Sequence, residues 1–380
     1  MQVNERVAEI NSFLDHADFD LAIRRMLDLA WETQNLSTIK TCVDWAKKSR
    51  NNMNINSLIS ADLLAEAKAQ LQQLALFEIP SKSELLISTE NVAKKYTKGN
   101  FDLKPLSLKV NAGEIIGVVG ENGNGKTTFL RLIGGQLAPT GGEINYHFLE
   151  SKKPDHYSIK QNVSFVPQRI PRWFGYLKDN LHFSASISGL KGEENEVMVD
   201  FMLERMDLTR YANHTWGQIS SGYKTRFEIA RVLLQRPKLL ILDEPLANLD
   251  INAQQTLLSD LRYIAKSQFR PMGVVLSSQQ LFEVEKMADA VLFLKKGEYI
   301  LESTENSSQH YLAIVELETN IEREKLTEIF DSETIVSFNG GYFTLKSTTN
   351  NTQQILSKLV ANYVPINYLR NITFSTKRFF

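Results

Sequence analysis

The sequence predicts an α/β core in which buried parallel strands alternate with helices, preceded by an all-helical segment and followed by a small α+β unit. Three observations predict it. A glycine-rich loop, Gly120-Glu121-Asn122-Gly123-Asn124-Gly125-Lys126-Thr127, joins the apolar run 115–119 to a helical stretch reaching Leu137. From about residue 84 to 304, short apolar β-rich runs alternate with helical ones, as strands covered by helices do. Before this region apolar residues recur at helical spacing, and after it the order of runs is β-α-β-β-α-β. The expected domains are 1–80 (helical), 84–304 (α/β) and 310–380 (α+β, ferredoxin-like).

In the first segment Val7, Ile10, Phe13 and Leu14 share one helical face. Leu21, Met26, Leu29 and Ala30 share another, and Ile39, Val43 and Trp45 or Ala46 a third. Asp18 and Ser37 are candidate helix caps. The stretch 63–76 is rich in strong helix formers, and Pro80-Ser81-Lys82-Ser83 reads as a linker. The core strands are expected at 85–88, 106–110, 115–119, 163–166, 239–242, 274–276 and 290–294. In the last segment 311–317 alternates like a strand and 321–330 has helical spacing. The runs 334–338 and 342–346 flank Asn339-Gly340-Gly341, a hairpin signal; 351–361 reads as a helix and 366–374 as a closing strand.

Composition narrows the classes. Lys and Arg number 43 against 44 Asp and Glu, a formal net charge of −1, so no global field favours nucleic acid or anionic lipid. Cys42 is the single cysteine, which precludes an intrachain disulfide and suits a reducing cytosol. The start lacks the basic and apolar pattern of a signal peptide, and no run of about 18 apolar residues could span a bilayer. A cytoplasmic protein is expected, with any membrane role supplied through a partner chain.

The loop carries chemistry. Gly120, Gly123 and Gly125 let backbone N–H groups turn inward around a triphosphate, with Asn122 inside the loop and Thr128 just after it. Lys126 places a positive charge at the β and γ phosphates, and the Thr127 hydroxyl can hold Mg²⁺. The following helix directs its positive end at the same anion. The run 239–242 ends in Asp243 and Glu244. Asp243 is placed to hold Mg²⁺ through water, and Glu244, one step further, to polarise an attacking water.

Further motifs follow in a set order: Val163-Ser164-Phe165-Val166-Pro167-Gln168, Ile219-Ser220-Ser221-Gly222-Tyr223, and Ala247-Asn248-Leu249-Asp250. With these the region 84–304 resembles the ATP-binding subunit of ABC transporters. The resemblance implies a P-loop ABC-type ATPase domain, a mixed-sheet core with a helical subdomain, and ATP and Mg²⁺ as ligands. It makes 120–127 the Walker A loop, Gln168 the Q-loop residue that reaches Mg²⁺, Asp243 and Glu244 the Walker B aspartate and catalytic base, and Asp250 the end of the D-loop. Tyr96 becomes the ring that stacks on adenine, with Phe101 as a rival. Ser220 and Gly222 become the signature positions that face the γ-phosphate of a second nucleotide-binding domain, in a homodimer or heterodimer. A separate transmembrane permease is the further partner implied, which would hold the chain at the inner face of the cell membrane; the stretch 172–192 fits the helical layer that touches it.

The chain departs from the family twice. The signature commonly reads Leu-Ser-Gly-Gly-Gln; here Ser221 and Tyr223 stand at its third and fifth positions. The switch histidine is replaced by Gln279, and none of the six histidines lies in that loop. Glutamine can donate a hydrogen bond to a γ-phosphate but cannot carry a proton charge. The ending 367–380 resembles that of some bacterial type-2 exporters, so an exporter motor is the function expected. The alternative is a soluble ATP-dependent sensor with slow turnover. ABC proteins of translation or DNA repair, the other class without a membrane partner, usually carry two ATPase domains or long coiled-coil insertions, and neither is present here.

Overall fold

The computed structural model describes residues 3–56, 58–77, 84–97, 101–151, 155–247, 249–300, 311–339 and 341–373. They fall into two compact units, Met1–Tyr299 and Ile300–Phe380. The helical segment 1–80 and the α/β segment from 84, set out above as separate domains, share the first unit. The linker at 80–83 lies outside the described residues.

Four helices open the first unit: α1 (Val3–Asp15), α2 (Phe19–Glu32), α3 (Leu36–Asn56) and α4 (Ala61–Leu74). Asp18 caps α2, its carboxylate accepting from the Leu21 amide at 3.3 Å. Ser37 lies inside α3 and does not cap it. The helix starts at Leu36, so the preceding residue, Asn35, reaches the first turn, and its Oδ1 accepts from the Thr38 amide at 3.0 Å.

The chain continues through β1 (Leu85–Lys95), β2 (Asp102–Asn111), β3 (Ile115–Val119), α5 (Lys126–Ile133), β4 (Gly141–Tyr146), α6 (His156–Asn162) and β5 (Val163–Val166). A helical layer follows, α7 (Leu177–Ile187), α8 (Gly192–Arg205) and α9 (Ser221–Leu233). The unit closes with β6 (Leu239–Leu242), α10 (Ile251–Ala265), β7 (Gly273–Ser278), α11 (Leu281–Glu285), β8 (Ala290–Lys295) and β9 (Glu298–Ile300).

These strands form two sheets. One runs β5-β6-β7-β3-β8-β9, with every pair from β5 to β8 parallel. The other is β2-β1-β4, antiparallel throughout. The runs 85–88 and 106–110, grouped above with the core strands, therefore belong to an antiparallel sheet; apolar content reports burial, not the direction of the neighbouring strand. β3, β6 and β7 are buried at every position, which is why they read as near-continuous apolar runs. Between the sheets, Phe129, Leu130 and Leu132 of α5 share a core with Ile87 and Val110 on one side and Ile116, Ile241 and Val275 on the other.

A second core explains why the helical head is not a separate unit. Leu27 and Trp45 of the head, Phe201 and Leu203 of α8, Leu261 of α10 and Leu276 of β7 all belong to one cluster. Buried charges cross the same junction. Asp28 of α2 accepts from Arg205 Nε of α8 at 2.5 Å and from Arg25 at 2.8 Å. Asp260 of α10 accepts from Arg24 at 2.6 Å. The Arg25 guanidinium lies 3.4 Å from the centroid of the Tyr263 ring. Burial pushes the Asp28 carboxyl up, but Arg205 and Arg25 outweigh it and hold it below its ordinary value. One polar cluster thus joins the head, the helical layer and the sheet-flanking helix α10.

The second unit, taken by itself, contains β10 (Ala313–Glu318), α12 (Arg323–Ile329), β11 (Thr334–Asn339), β12 (Tyr342–Ser347), α13 (Thr352–Ala361) and β13 (Tyr368–Asn371). Its sheet is ordered β11-β12-β10-β13 with all neighbours antiparallel, the arrangement of a ferredoxin-like β-α-β-β-α-β chain. Leu326, Ile355 and Leu359 of the helices pack on Val315, Leu317 and Leu345 of the sheet. Gly340 of the hairpin and residues 374–380 lie outside the described residues.

Removing the shared carboxylate of the junction tests its energetic weight. Asp28→Asn leaves Arg25 and Arg205 buried without that partner, and the expected loss is about 3–5 kcal/mol of unfolding free energy in a urea titration. A loss within about 0.5 kcal/mol, the range of an ordinary surface change, would mean that the cluster does not hold the head in place.

Candidate functional site

The site forms where β3, β6 and β7 end. Their register sets Val119 of β3 opposite Ser278 of β7 but Leu242 of β6 opposite Leu276, so all three strands end at one edge of the sheet with β6 two residues short of the other two. After β3 the chain enters the glycine-rich loop. Gly125 has φ of 100°, and a Cβ there would fall 2.7 Å from the Phe101 ring, so glycine is required on both counts. It caps α5 and makes Lys126 the first helical residue. Lys126 is buried, and its Nζ donates to Gly120 O at 2.6 Å and to Glu121 O at 3.2 Å. The same ammonium lies 3.1 Å from Glu244 Oε1.

The carboxylates follow β6. Thr127 Oγ1 donates to Asp243 Oδ2 at 2.9 Å, which ties the loop to the strand end. Asp243 also accepts from Ser277 Oγ at 2.8 Å through Oδ1. Glu244 has φ of 52°, the left-handed region that a residue with a Cβ seldom occupies. Its amide donates to Ser277 Oγ at 2.9 Å, and its Oε2 accepts from Gln279 Nε2 at 3.3 Å. The structure therefore brings Lys126, Thr127, Asp243, Glu244 and Gln279 into one network. Ser277 was not among the residues singled out in the sequence. The signal that could have found it is the pair Ser277-Ser278 ending an apolar strand that is buried throughout.

Beside this network opens a cleft of about 400 Å³ lined by Tyr96, Phe101, Asn122, Gly123, Gly125, Lys126, Thr127, Thr128, Gln168 and Glu244. Tyr96 OH lies 3.3 Å from Thr128 Oγ1, and the Tyr96 and Phe101 ring centroids are 6.5 Å apart. Both rings face the cleft, so a base entering it meets an aromatic pair. Gln168 also lines a smaller cleft of about 120 Å³ with Ser221, Lys224 and Glu244, and so borders Glu244 from a second side.

The donor set fits Mg²⁺. Thr127 and Asp243 present hard oxygens 2.9 Å apart, with the Gln168 amide lining the same cleft. Among the described residues no group of three or more His, Cys, Asp or Glu could hold a metal unaided. An ion here would take its remaining ligands from phosphate and water, as Mg²⁺ commonly does.

Ser220, Gly222 and Asp250 are not brought to the cleft lined by Lys126. Ser220 stands exposed before α9, and its hydroxyl makes no capping hydrogen bond. A Cβ on Gly222 would come within 3.0 Å of the Leu249 side chain. Asp250 caps α10, accepting from the Ala253 amide at 2.8 Å. Tyr223 accepts a hydrogen bond from Arg210, and its ring centroid is 4.2 Å from that of Tyr211. Ser220 and Gly222 thus lie outside the cleft that Lys126 lines, while Ser221 borders Glu244 from the smaller cleft and Tyr223 is fixed by an aromatic–guanidinium cluster.

Comparison with known proteins agrees with this geometry. Residues 103–247, which span the loop, Gln168, the signature and both carboxylates, match the family "ABC transporter". The chain is 34% identical over 215 residues to the uncharacterized ABC transporter ATP-binding protein YxlF of Bacillus subtilis, covering 56% of this chain and 69% of that protein. It is 28% identical over 249 residues to the phosphonates import ATP-binding protein PhnC of Treponema denticola, covering 62% of this chain and 96% of that one. Among solved structures, a dimeric ATP-binding cassette in a post-hydrolysis state with ADP and Pi superposes with a TM-score of 0.51 at 25% identity, over 57% of this chain and 97% of that one. This chain belongs to the ATP-binding proteins of ABC transporters and, as one of them, binds and hydrolyses ATP.

Proposed function

We propose that the chain is the motor subunit of a membrane transporter, in which two nucleotide-binding domains close on Mg²⁺-ATP and drive a separate permease. The observation that carries the reading is the convergence of Lys126 and Thr127 with Asp243, Glu244 and Gln279 where the central strands end. In this reading Lys126 and the loop amides hold the β and γ phosphates, and Tyr96 and Phe101 face the base. Thr127, Asp243 and Gln168 would hold Mg²⁺, which would supply positive charge against the phosphates. Glu244 sits one residue beyond the metal-holding aspartate and takes the proton of the attacking water. Lys126, ion-paired with one oxygen of that carboxylate, and Gln279, hydrogen-bonded to the other, orient it.

The position of the signature supports a two-chain site. Ser220 and the first amides of α9 are donors suited to a γ-phosphate, yet they do not line the cleft that Lys126 lines. A second domain's Ser220 and Gly222 would complete the site across an interface, with Asp250 at its edge. Among the described residues no helix is long and apolar enough to cross a membrane, which favours a separate permease and a peripheral position at the inner face of the membrane.

Export was expected from the ending of the chain, much of which lies outside the described residues. Several relatives are named for import, a phosphonates, a spermidine/putrescine and an Fe(3+) import protein among them. Our proposal is therefore for a transporter motor of either direction.

A second reading, an ATP-dependent sensor with slow turnover, is favoured by one observation: the residue that contacts Glu244 from the switch position is the uncharged amide of Gln279. The two readings differ in rate.

Two expected outcomes follow. Glu244→Gln should lower Mg²⁺-dependent ATP hydrolysis by about 10²–10⁴-fold while ATP binding persists; hydrolysis at the wild-type rate would refute the assignment of the base. Gln279→Ala should lower turnover through loss of a contact to that base, and Gln279→His should maintain or raise it. A wild type that binds ATP but turns over only as Gln279→His would favour the sensor.

A further inference from the structure

We infer that Ser277 is the positioning residue of the hydrolytic site, fixing the backbone of Glu244 and the orientation of Asp243 through one buried hydroxyl. The inference rests on the function proposed above.

A serine hydroxyl has one proton to give. At Ser277 the surroundings dictate where that proton goes. The Glu244 amide can only donate, so Ser277 Oγ accepts from it at 2.9 Å. The proton is then available to Asp243 Oδ1, 2.8 Å away. That bond secures Oδ1, which Thr127 Oγ1 also approaches at 3.2 Å, and leaves Oδ2 with Thr127 alone, 2.9 Å away, on the side where Mg²⁺ is proposed to sit. Ser277 is wholly buried and lines neither of the two clefts beside Glu244, so it acts through its neighbours.

The Glu244 bond has a particular purpose. The pairing of β6 with β7 stops at Leu242 and Leu276, and beyond it the chain of β6 turns away. Asp243 still donates its amide to Val166 O at 2.9 Å. The next peptide has left the ladder and is in the left-handed region, φ 52°. A strained backbone persists only where its surroundings over-determine it. Ser277, one residue past the end of the β6 pairing, meets the displaced amide with its side chain in place of its main chain. A buried serine often satisfies its hydroxyl within its own strand or turn. Ser278 does so, its Oγ accepting from the Gln280 amide at 2.9 Å. Ser277 instead bonds two consecutive residues of another strand, and they are the two proposed to hold the metal and to take the proton.

ATP turnover, ATP binding and Mn²⁺ binding would be measured on the full chain as wild type, Ser277→Ala, Ser277→Cys and Ser277→Thr. Ser277→Ala leaves the Glu244 amide buried without its acceptor, and kcat should fall about tenfold or more, with ATP affinity within about twofold and binding stoichiometry unchanged. Mn²⁺ bound to the ATP-loaded protein, followed by electron paramagnetic resonance, should weaken several-fold because Asp243 is no longer oriented. Ser277→Thr keeps the hydroxyl and should recover most of the turnover. Ser277→Cys keeps the shape but has only a weak donor and acceptor, and should follow Ser277→Ala. Wild-type kcat in Ser277→Ala would overturn the inference while leaving the proposed function intact. If Ser277→Ala loses ATP-binding stoichiometry, Ser277→Cys decides: full stoichiometry with full kcat overturns the inference, and full stoichiometry with reduced kcat upholds it. Undiminished hydrolysis by Glu244→Gln marks the different failure, that of the function on which the inference rests.

Discussion

The site depends on one constraint: three parallel strands must be held in one register, with β6 ending two residues short of β3 and β7 at the same edge of the sheet. β3 delivers the phosphate loop, β6 the carboxylates and β7 the segment that holds Ser277 and Gln279. Parallel register among buried strands is fixed by packing on both faces, because a slip by one residue would turn every side chain to the wrong face. The apolar runs of β3, β6 and β7 are therefore part of the chemistry. They set the 3.1 Å between Lys126 and Glu244 and the 2.9 Å between Thr127 and Asp243, across chain separations that no local motif could bridge.

The second organising feature is the junction of the helical head with the helical layer and α10. Charged residues are seldom buried without partners, and here they are buried in mutual contact: Arg24 and Asp260, Arg25 and Asp28, Arg205 and Asp28. A carboxylate of the head accepts from an arginine of α8, and an aspartate of α10 accepts from an arginine of the head. The head is thus coupled to the layer that carries the signature at α9 and to the helix that Asp250 caps. Any change at the signature surface takes place on a scaffold that includes residues 3–74.

What the sequence disclosed divides along the distance between partners. The phosphate loop was readable because its strand, glycines, lysine and helix are contiguous. Asp243 and Glu244 were readable as the end of an apolar strand. Gln279 was placed by the strand before it and the helix after it. Ser277 was not, because its meaning lies in a register that pairs it with residues 33 and 34 positions away. The head was read as separate because helical spacing gives way to alternating strands and helices across the stretch 80–83; nothing local shows that Arg24 meets Asp260 across 236 positions. The antiparallel pairing of β1 with β2 was hidden for a related reason, since apolar pattern encodes burial and not strand direction. Ser37 was mistaken for a cap because a one-residue shift in the start of α3 moves that role to Asn35.

In the proposed motor one chain supplies the loop and carboxylates of one site and the signature of another, so that turnover would need two domains. Lys126 and Glu244 face one cleft, while Ser220 stands exposed outside it. The most direct test is the ATPase rate per molecule as protein concentration is raised through the range where sedimentation shows monomer giving way to dimer, with Ser220→Arg as the comparison. The specific rate should climb with the dimer fraction, and Ser220→Arg should stay at the monomer level at every concentration. A specific rate that is constant across the range, and equal in Ser220→Arg, would show that a single chain completes its own site and would rule out the two-domain mechanism.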